Sequence, residues 1–130
     1  QARIVSYDWG TYLKKQREQP DDMDLFQLGW TGDNGDPDNF LAVLFDGLAS
    51  PSIRTQWHNA EYHDLMIKGK ITIDQAERTR IYERALQVIF DDVGTIPIAH
   101  SIVTWPTTKN VVNFKLHPTG SVRLKNVSFK

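Results

Sequence analysis

"LGWTGDNGDPDNF", residues 28–40, is the stretch on which the reading of this chain turns. An apolar run ends at Leu28, and a Trp-Thr-Gly step leads into Asp33, Asp36 and Asp38, spaced by Asn, Gly and Pro. Those spacers are turn formers: Gly reaches left-handed backbone, Pro presets φ, and Asn and Asp hydrogen-bond to nearby main chain. Three acids in a loop can hold a cation, meet a ligand or turn the chain. An EF-hand loop needs oxygen ligands at positions 1, 3, 5 and 12 and Gly at position 6. Counting from Asp33 puts Gly35 and Pro37 at ligand positions; counting from Asn34 puts Asn39 at the glycine position and Phe45 at the last one. Both registers fail. A calcium site of another kind on Asp33, Asp36 and Asp38, stabilising a structural module, stays open as an alternative.

Outward from the loop, the chain reads as mixed α/β. Before it, Ile4, Val5 and Tyr7 give a short strand, and Asp8 caps a helix with Trp9, Tyr12 and Leu13 on one face, ended by Pro20. Leu25, Phe26 and Leu28 give a second strand. Strand, helix and strand this close predict a βαβ unit with a right-handed crossover. The loop then leaves the carboxyl end of a strand, where ligands gather in open α/β sheets. After it, "PDNFLAVLF" predicts a helix with Pro37 in its first turn and Phe40, Val43 and Leu44 on one face. "DGLASPSIRTQ" is loop-like. Asn59 caps a helix that buries Tyr62, Leu65 and Met66 and stops at Gly69. Asp74 and Glu77 open the clearest helix, over 75–93, closed by Gly94. Its stripe is Ile81, Ala85, Ile89 and Val93 beside Tyr82, Leu86 and Phe90. "TIPIAHSIVTWP" predicts a buried strand in which His100 is a hydrogen-bonded core residue. Two alternating runs around a Pro-Thr-Gly turn finish the chain.

Composition excludes several functions. The 130 residues carry a net charge of −1 with pI about 6.5, which argues against a nucleic-acid partner. No apolar run nears the roughly 20 residues that span a bilayer, so no direct membrane insertion is expected. Cysteine is absent, which removes disulfides and thiolate metal sites. His58 and His63 are not at helical metal-binding spacing, and no nucleophile elbow or phosphate loop occurs. No catalytic constellation can be drawn, and no enzyme activity and no cofactor are expected. Within the loop, Trp30 is either a core plug or an apolar wall beside a ligand. Asp33 either caps the turn or accepts a ligand's charge.

At this point the residues carry a resemblance. "LGWTGDNGDPDNFLAVLF" resembles the corresponding segment of dipeptide-binding proteins of bacterial ABC importers, within the family 5 extracellular solute-binding proteins. "IVSYDWGTYLKK", "IYERALQVIFDDVGTIPIAHS" and "VRLKNVSFK" are similar to further segments of the same family, so the resemblance covers the whole chain. Members are several times longer, so the chain is expected to be a C-terminal segment of a two-lobed periplasmic binding protein of type II-like fold. About 1–95 would belong to the second lobe and about 96–130 would return across the hinge to the first.

The resemblance implies a substrate-binding component that captures small peptides in the periplasm and delivers them to an ABC permease in the inner membrane. In a Gram-positive source it would instead be extracellular and lipid-anchored. It implies that the Asp33 carboxylate receives the ligand's terminal ammonium, with Trp30, Thr31 and Gly32 lining the site. Asp36, Asn39 and Phe40 are secondary candidates, with Asp36, Asp38 and Asn39 organising the loop and capping the next helix. The family's arginine for the ligand carboxylate would lie upstream. "DGLASPSIRTQWHNA" also lacks the cysteine pair that dipeptide binders can carry. Relatives on this scaffold take haem, glutathione or other small solutes, which is the alternative ligand class.

Overall fold

A computed structural model describes residues 3–19, 22–48, 55 and 57–130. Among these residues four helices form: α1 (Trp9–Glu18), α2 (Asp38–Phe45), α3 (Ala60–Ile71) and α4 (Gln75–Asp91). Two short strands follow, β1 (Val111–Val112) and β2 (Ser128–Phe129). Among the described residues, no helix is long and apolar enough to cross a membrane.

The helix starts are written into the sequence. Asp8, Asn59 and Asp74 each accept the N–H three residues on, from Thr11, Tyr62 and Glu77, at 3.1, 3.0 and 2.8 Å. Each bond satisfies one of the N–H groups that the first turn leaves without a partner, a stabilisation of about 1 kcal/mol per cap. Pro20, expected to stop α1, lies outside the described residues, as does most of the loop over 49–56.

Packing centres on α3 against α4, which the short connection over 72–74 brings together, with α2 lying on α3. Leu41 and Ala42 from α2, Tyr62 and Met66 from α3, and Tyr82, Ala85, Val88 and Ile89 from α4 form one core. Phe45, Trp57 and Leu65 pack against it. Burying a side chain such as Met66 contributes about 1.5–3 kcal/mol. Tyr62 is buried too, and its hydroxyl donates to the Leu41 carbonyl at 3.0 Å. Burial, then the nearby Asp46 and Asp38 carboxylates, push that hydroxyl's pKa far above its ordinary value, so it stays a neutral donor.

Three expectations about helix faces need correction. On α2 the inward face is Leu41, Ala42 and Phe45, while Phe40 and Val43 are exposed. On α4, Val88 is buried, whereas Leu86 and Phe90 are exposed, and Val93, expected on the same stripe, is exposed beyond the helix end. At about 100° per residue, Leu86 and Phe90 lie about 140° and 180° round from Ile81, beyond the arc that one packed neighbour covers. Gly69 does not stop α3, which continues to Ile71. It is buried because the Tyr82 ring lies against it, so that an added Cβ would fall 2.8 Å from Tyr82 Cζ.

The close of α4 falls earlier than 93, and the residue that turns the chain is not a glycine. Gly94 N–H donates to Ile89 C=O at 3.0 Å and Val93 N–H to Phe90 C=O at 3.2 Å, the pair of bonds of a Schellman ending. The left-handed position is Val93, with φ 52°. A β-branched residue is strained there. Gly94 serves instead as the floor for the Trp57 ring, 3.1 Å from where its Cβ would stand. Trp57 Nε1 and Asn59 Nδ2 both donate to Asp92 Oδ2, at 3.2 and 2.9 Å, joining the start of α3 to the end of α4.

The expected strands fare differently. α1 forms between residues 4–7 and 25–28, but neither flank becomes a strand, so the βαβ unit is not closed. Tyr12 Oη still donates to Gln27 C=O at 2.7 Å, holding the second flank against the helix. The expected buried strand in "TIPIAHSIVTWP" has no regular secondary structure, and its Ile96, Ile98 and Ile102 are exposed. His100 is exposed as well, not a core residue. β-branched composition suits a strand only where a neighbour completes the ladder and a layer covers the face. Among the described residues a ladder forms once, where Val111 pairs antiparallel with Phe129 and Val112 with Ser128, and there Phe129 stays exposed. Of the turns between them, the one closed by Gly120 N–H on His117 C=O has that glycine in left-handed backbone at φ 74°.

Two substitutions test this packing. Gly69→Ala gains helix propensity worth about 1 kcal/mol. Tyr82 is buried and cannot swing away, so we expect a net loss of about 1–2 kcal/mol from overpacking, read as a lower Tm. Val93→Gly relieves left-handed strain of about 1–2 kcal/mol at some cost in unfolded-chain entropy, and Tm is expected to rise.

Candidate ligand-binding site

The loop from Trp30 to Phe40 is ordered by its own side chains. Asn39, in the first turn of α2, is the hub. Its Oδ1 accepts Asp33 N–H at 2.9 Å and Trp30 Nε1–H at 3.3 Å, and its Nδ2 donates to Asp33 Oδ2 at 3.4 Å. Asn34 Oδ1 accepts Asp36 N–H at 2.9 Å, an Asx turn closed by Gly35 at φ 75°. Asp36 Oδ1 accepts Asp38 N–H at 2.9 Å, and Asp36 C=O accepts Asn39 N–H at 3.1 Å, so Asp36 caps α2 across Pro37. Gly32 is buried beneath the Phe40 ring, which a Cβ there would strike.

The three aspartates have separate tasks. Asp36 faces the helical core, where Arg78 Nη2 donates to its Oδ1 at 2.8 Å. The same guanidinium gives Nε–H to Gly69 C=O at 2.8 Å and Nη2–H to Tyr82 Oη at 3.0 Å, and lies over the Tyr82 ring 5.0 Å from its centroid. Asp38 stands 3.7 Å from Lys70 Nζ. Asp33 alone of the three is exposed, and among the described residues only the Asn39 amide bonds its carboxylate.

Charge follows geometry. The hydrogen bond from Arg78 holds the Asp36 carboxyl below its ordinary pKa, against the opposing effect of burial. Asp36 in turn raises the Arg78 guanidinium above its ordinary value. A calcium ion would compete with these cations for Asp36 and Asp38, and no group of three or more acidic or histidine side chains converges among the described residues.

Of the expected site residues, the structure joins Trp30, Asp33 and Asn39 by hydrogen bonds and Gly32 to Phe40 by contact. Trp30 is half-buried, and Thr31 is exposed between Trp30 and Gly32. Asn39 spends its side chain on the loop itself, and Asp36 divides its own between the loop and Arg78. Arg78 was missed: one basic residue among several on α4 carries no sequence signal that its partner lies 42 residues earlier.

No family model matches the chain. It is 43% identical over 119 residues to di/tripeptide-binding protein 3 of Pseudomonas aeruginosa, covering 90% of this chain and 22% of that protein. The dipeptide-binding protein of Escherichia coli is 39% identical over 132 residues, covering 100% of this chain and 24% of that one. Among solved structures, an ABC transporter-associated periplasmic binding protein of Helicobacter pylori in complex with the peptide STSA superposes with TM-score 0.80 at 32% identity. That match covers 98% of this chain and 25% of the other. The chain therefore spans about a quarter of the length of the relatives it matches.

Asp36 has a depressed folded pKa, so its share of stability is present above the ordinary value of 3.8 and is lost as pH falls through the folded value. Tm followed from neutral to acid pH should show Asp36→Asn less stable than the parent near neutrality. The gap should narrow as pH falls below 3.8.

Proposed function

We propose, for a chain homologous to the dipeptide-binding proteins over nearly all its length, that it carries the amine end of a small-peptide site in the substrate-binding component of an ABC importer. The observation that carries this reading is the exposed Asp33 carboxylate on a loop whose other acids are already paired with cations.

A peptide enclosed between two lobes needs its terminal charges matched, because an uncompensated buried ammonium costs several kcal/mol. Asp33 supplies a short acceptor for a charge-assisted hydrogen bond to that ammonium. The Asn39 amide steadies one carboxylate oxygen and fixes the loop main chain at Asp33. The same amide oxygen holds the Trp30 indole, which stands as an apolar wall beside the amine. Main-chain groups at Thr31 and Gly32 pair with the extended ligand, a mode that gives affinity without reading side chains. The protein binds and delivers and transforms nothing. It works in the periplasm with an inner-membrane permease and closes two lobes by hinge motion. In this reading about 1–95 belongs to one lobe and about 96–130 returns to the other.

Titration calorimetry on the full-length protein with a free-amine dipeptide tests the role of Asp33. Asp33→Asn keeps the shape and removes the charge, and should weaken binding at least about tenfold, 1.4 kcal/mol. Unchanged affinity would refute the amine site. Copurification of haem or glutathione in place of peptide would move the ligand class while leaving the scaffold reading intact.

A further inference from the structure

We propose that Arg78, remote from the ligand-facing edge of the loop, is a positioning residue for peptide binding: it fixes the Asp33 loop to the α3–α4 core through Asp36. The inference rests on the reading of Asp33 as the amine acceptor.

The path is continuous. Arg78 is seated on the core by three interactions, with Gly69 C=O, the Tyr82 hydroxyl and the Tyr82 ring. Its remaining reach goes to Asp36 Oδ1. That oxygen holds the first N–H of α2, and the Asp36 carbonyl holds the N–H of Asn39. The Asn39 side chain then holds both the Asp33 main chain and the Trp30 indole. Every link from the core to the Asp33 main chain is a hydrogen bond of 3.1 Å or less, and the Asn39 amide reaches the Asp33 carboxylate at 3.4 Å.

The guanidinium suits the task. Its planar fork gives Nε and Nη donors in fixed directions, so it spans the α3 main chain, α4 and the loop together; a lysine ammonium cannot. The ion pair is partly exposed, with side-chain exposures of 20% and 34%, so its direct share in stability is modest. Its effect falls on where the loop sits. A site that matches a terminal ammonium loses affinity when its acceptor is free to move, because binding must then fix it.

The test uses the full-length protein and alanyl-alanine, with Kd from calorimetry and Tm from thermal unfolding. Arg78→Met and Arg78→Lys should each weaken binding about fivefold or more. Combined with Asp33→Asn, Arg78→Met should add no more than about a further twofold, because both changes act on the same contact. Arg78→Lys keeps the charge but lacks the fork that spans Gly69 C=O and Asp36 Oδ1, and so carries the test if Arg78→Met fails to fold. If Asp33→Asn weakens binding while the folded Arg78 variants leave Kd within twofold, Arg78 has no positioning role. Full multiplication of the Arg78→Met and Asp33→Asn losses in the double variant would overturn it equally. If Asp33→Asn has no effect, the amine site itself falls, and this inference with it.

Discussion

Gly69 lets α3 approach α4 until the Tyr82 ring meets its backbone, and the order of the surrounding chain follows from that approach. With a side chain at 69 the helices would stand apart. The Gly69 carbonyl and the Tyr82 hydroxyl, both within reach of Arg78, would then separate. The same packing buries Met66 and Ala85 completely and sets Tyr62 against α2. A residue with poor helical propensity is thus placed where packing geometry outweighs propensity.

Asp33, Asp36 and Asp38 are alike in sequence and unlike in setting. Asp36 lies over a guanidinium anchored to the core, Asp38 near a lysine of α3, and Asp33 faces outward. The partners of the first two come from residues that follow the loop by some 30 to 40 positions, so the loop's own sequence cannot rank the three. Asn39 could be assigned a loop-organising role from its place beside Asp38 at the helix start. That its single amide would hold Trp30 and Asp33 together depends on the path of the turn through Gly35.

Features governed by neighbours in sequence were legible. The caps at Asp8, Asn59 and Asp74 act within three residues, and each helix begins where its cap says. Features governed by distant surroundings were not. The apolar stripe of α4 was read too broadly, since periodicity shows where apolar residues lie but not how wide an arc a neighbour covers. The β-rich runs at 4–7, 25–28 and 95–106 have the composition of strands, yet strand formation belongs to a pair of segments and not to one. The loop was read through its resemblance to dipeptide-binding proteins, which supplied the role proposed for Asp33 that charge and spacing had left open.

The short connection between α3 and α4 has a consequence for the order in which the chain acquires structure. The contacts of this helical hairpin join residues close in sequence, so little loop entropy opposes them and the pair can assemble quickly. Arg78 and Gly69 both lie on it, whereas Asp36 lies far upstream. The hairpin can therefore take shape before the aspartate loop has anything to dock on. During synthesis the loop leaves the ribosome ahead of its anchor, and its final turn waits for helices that have not yet been made.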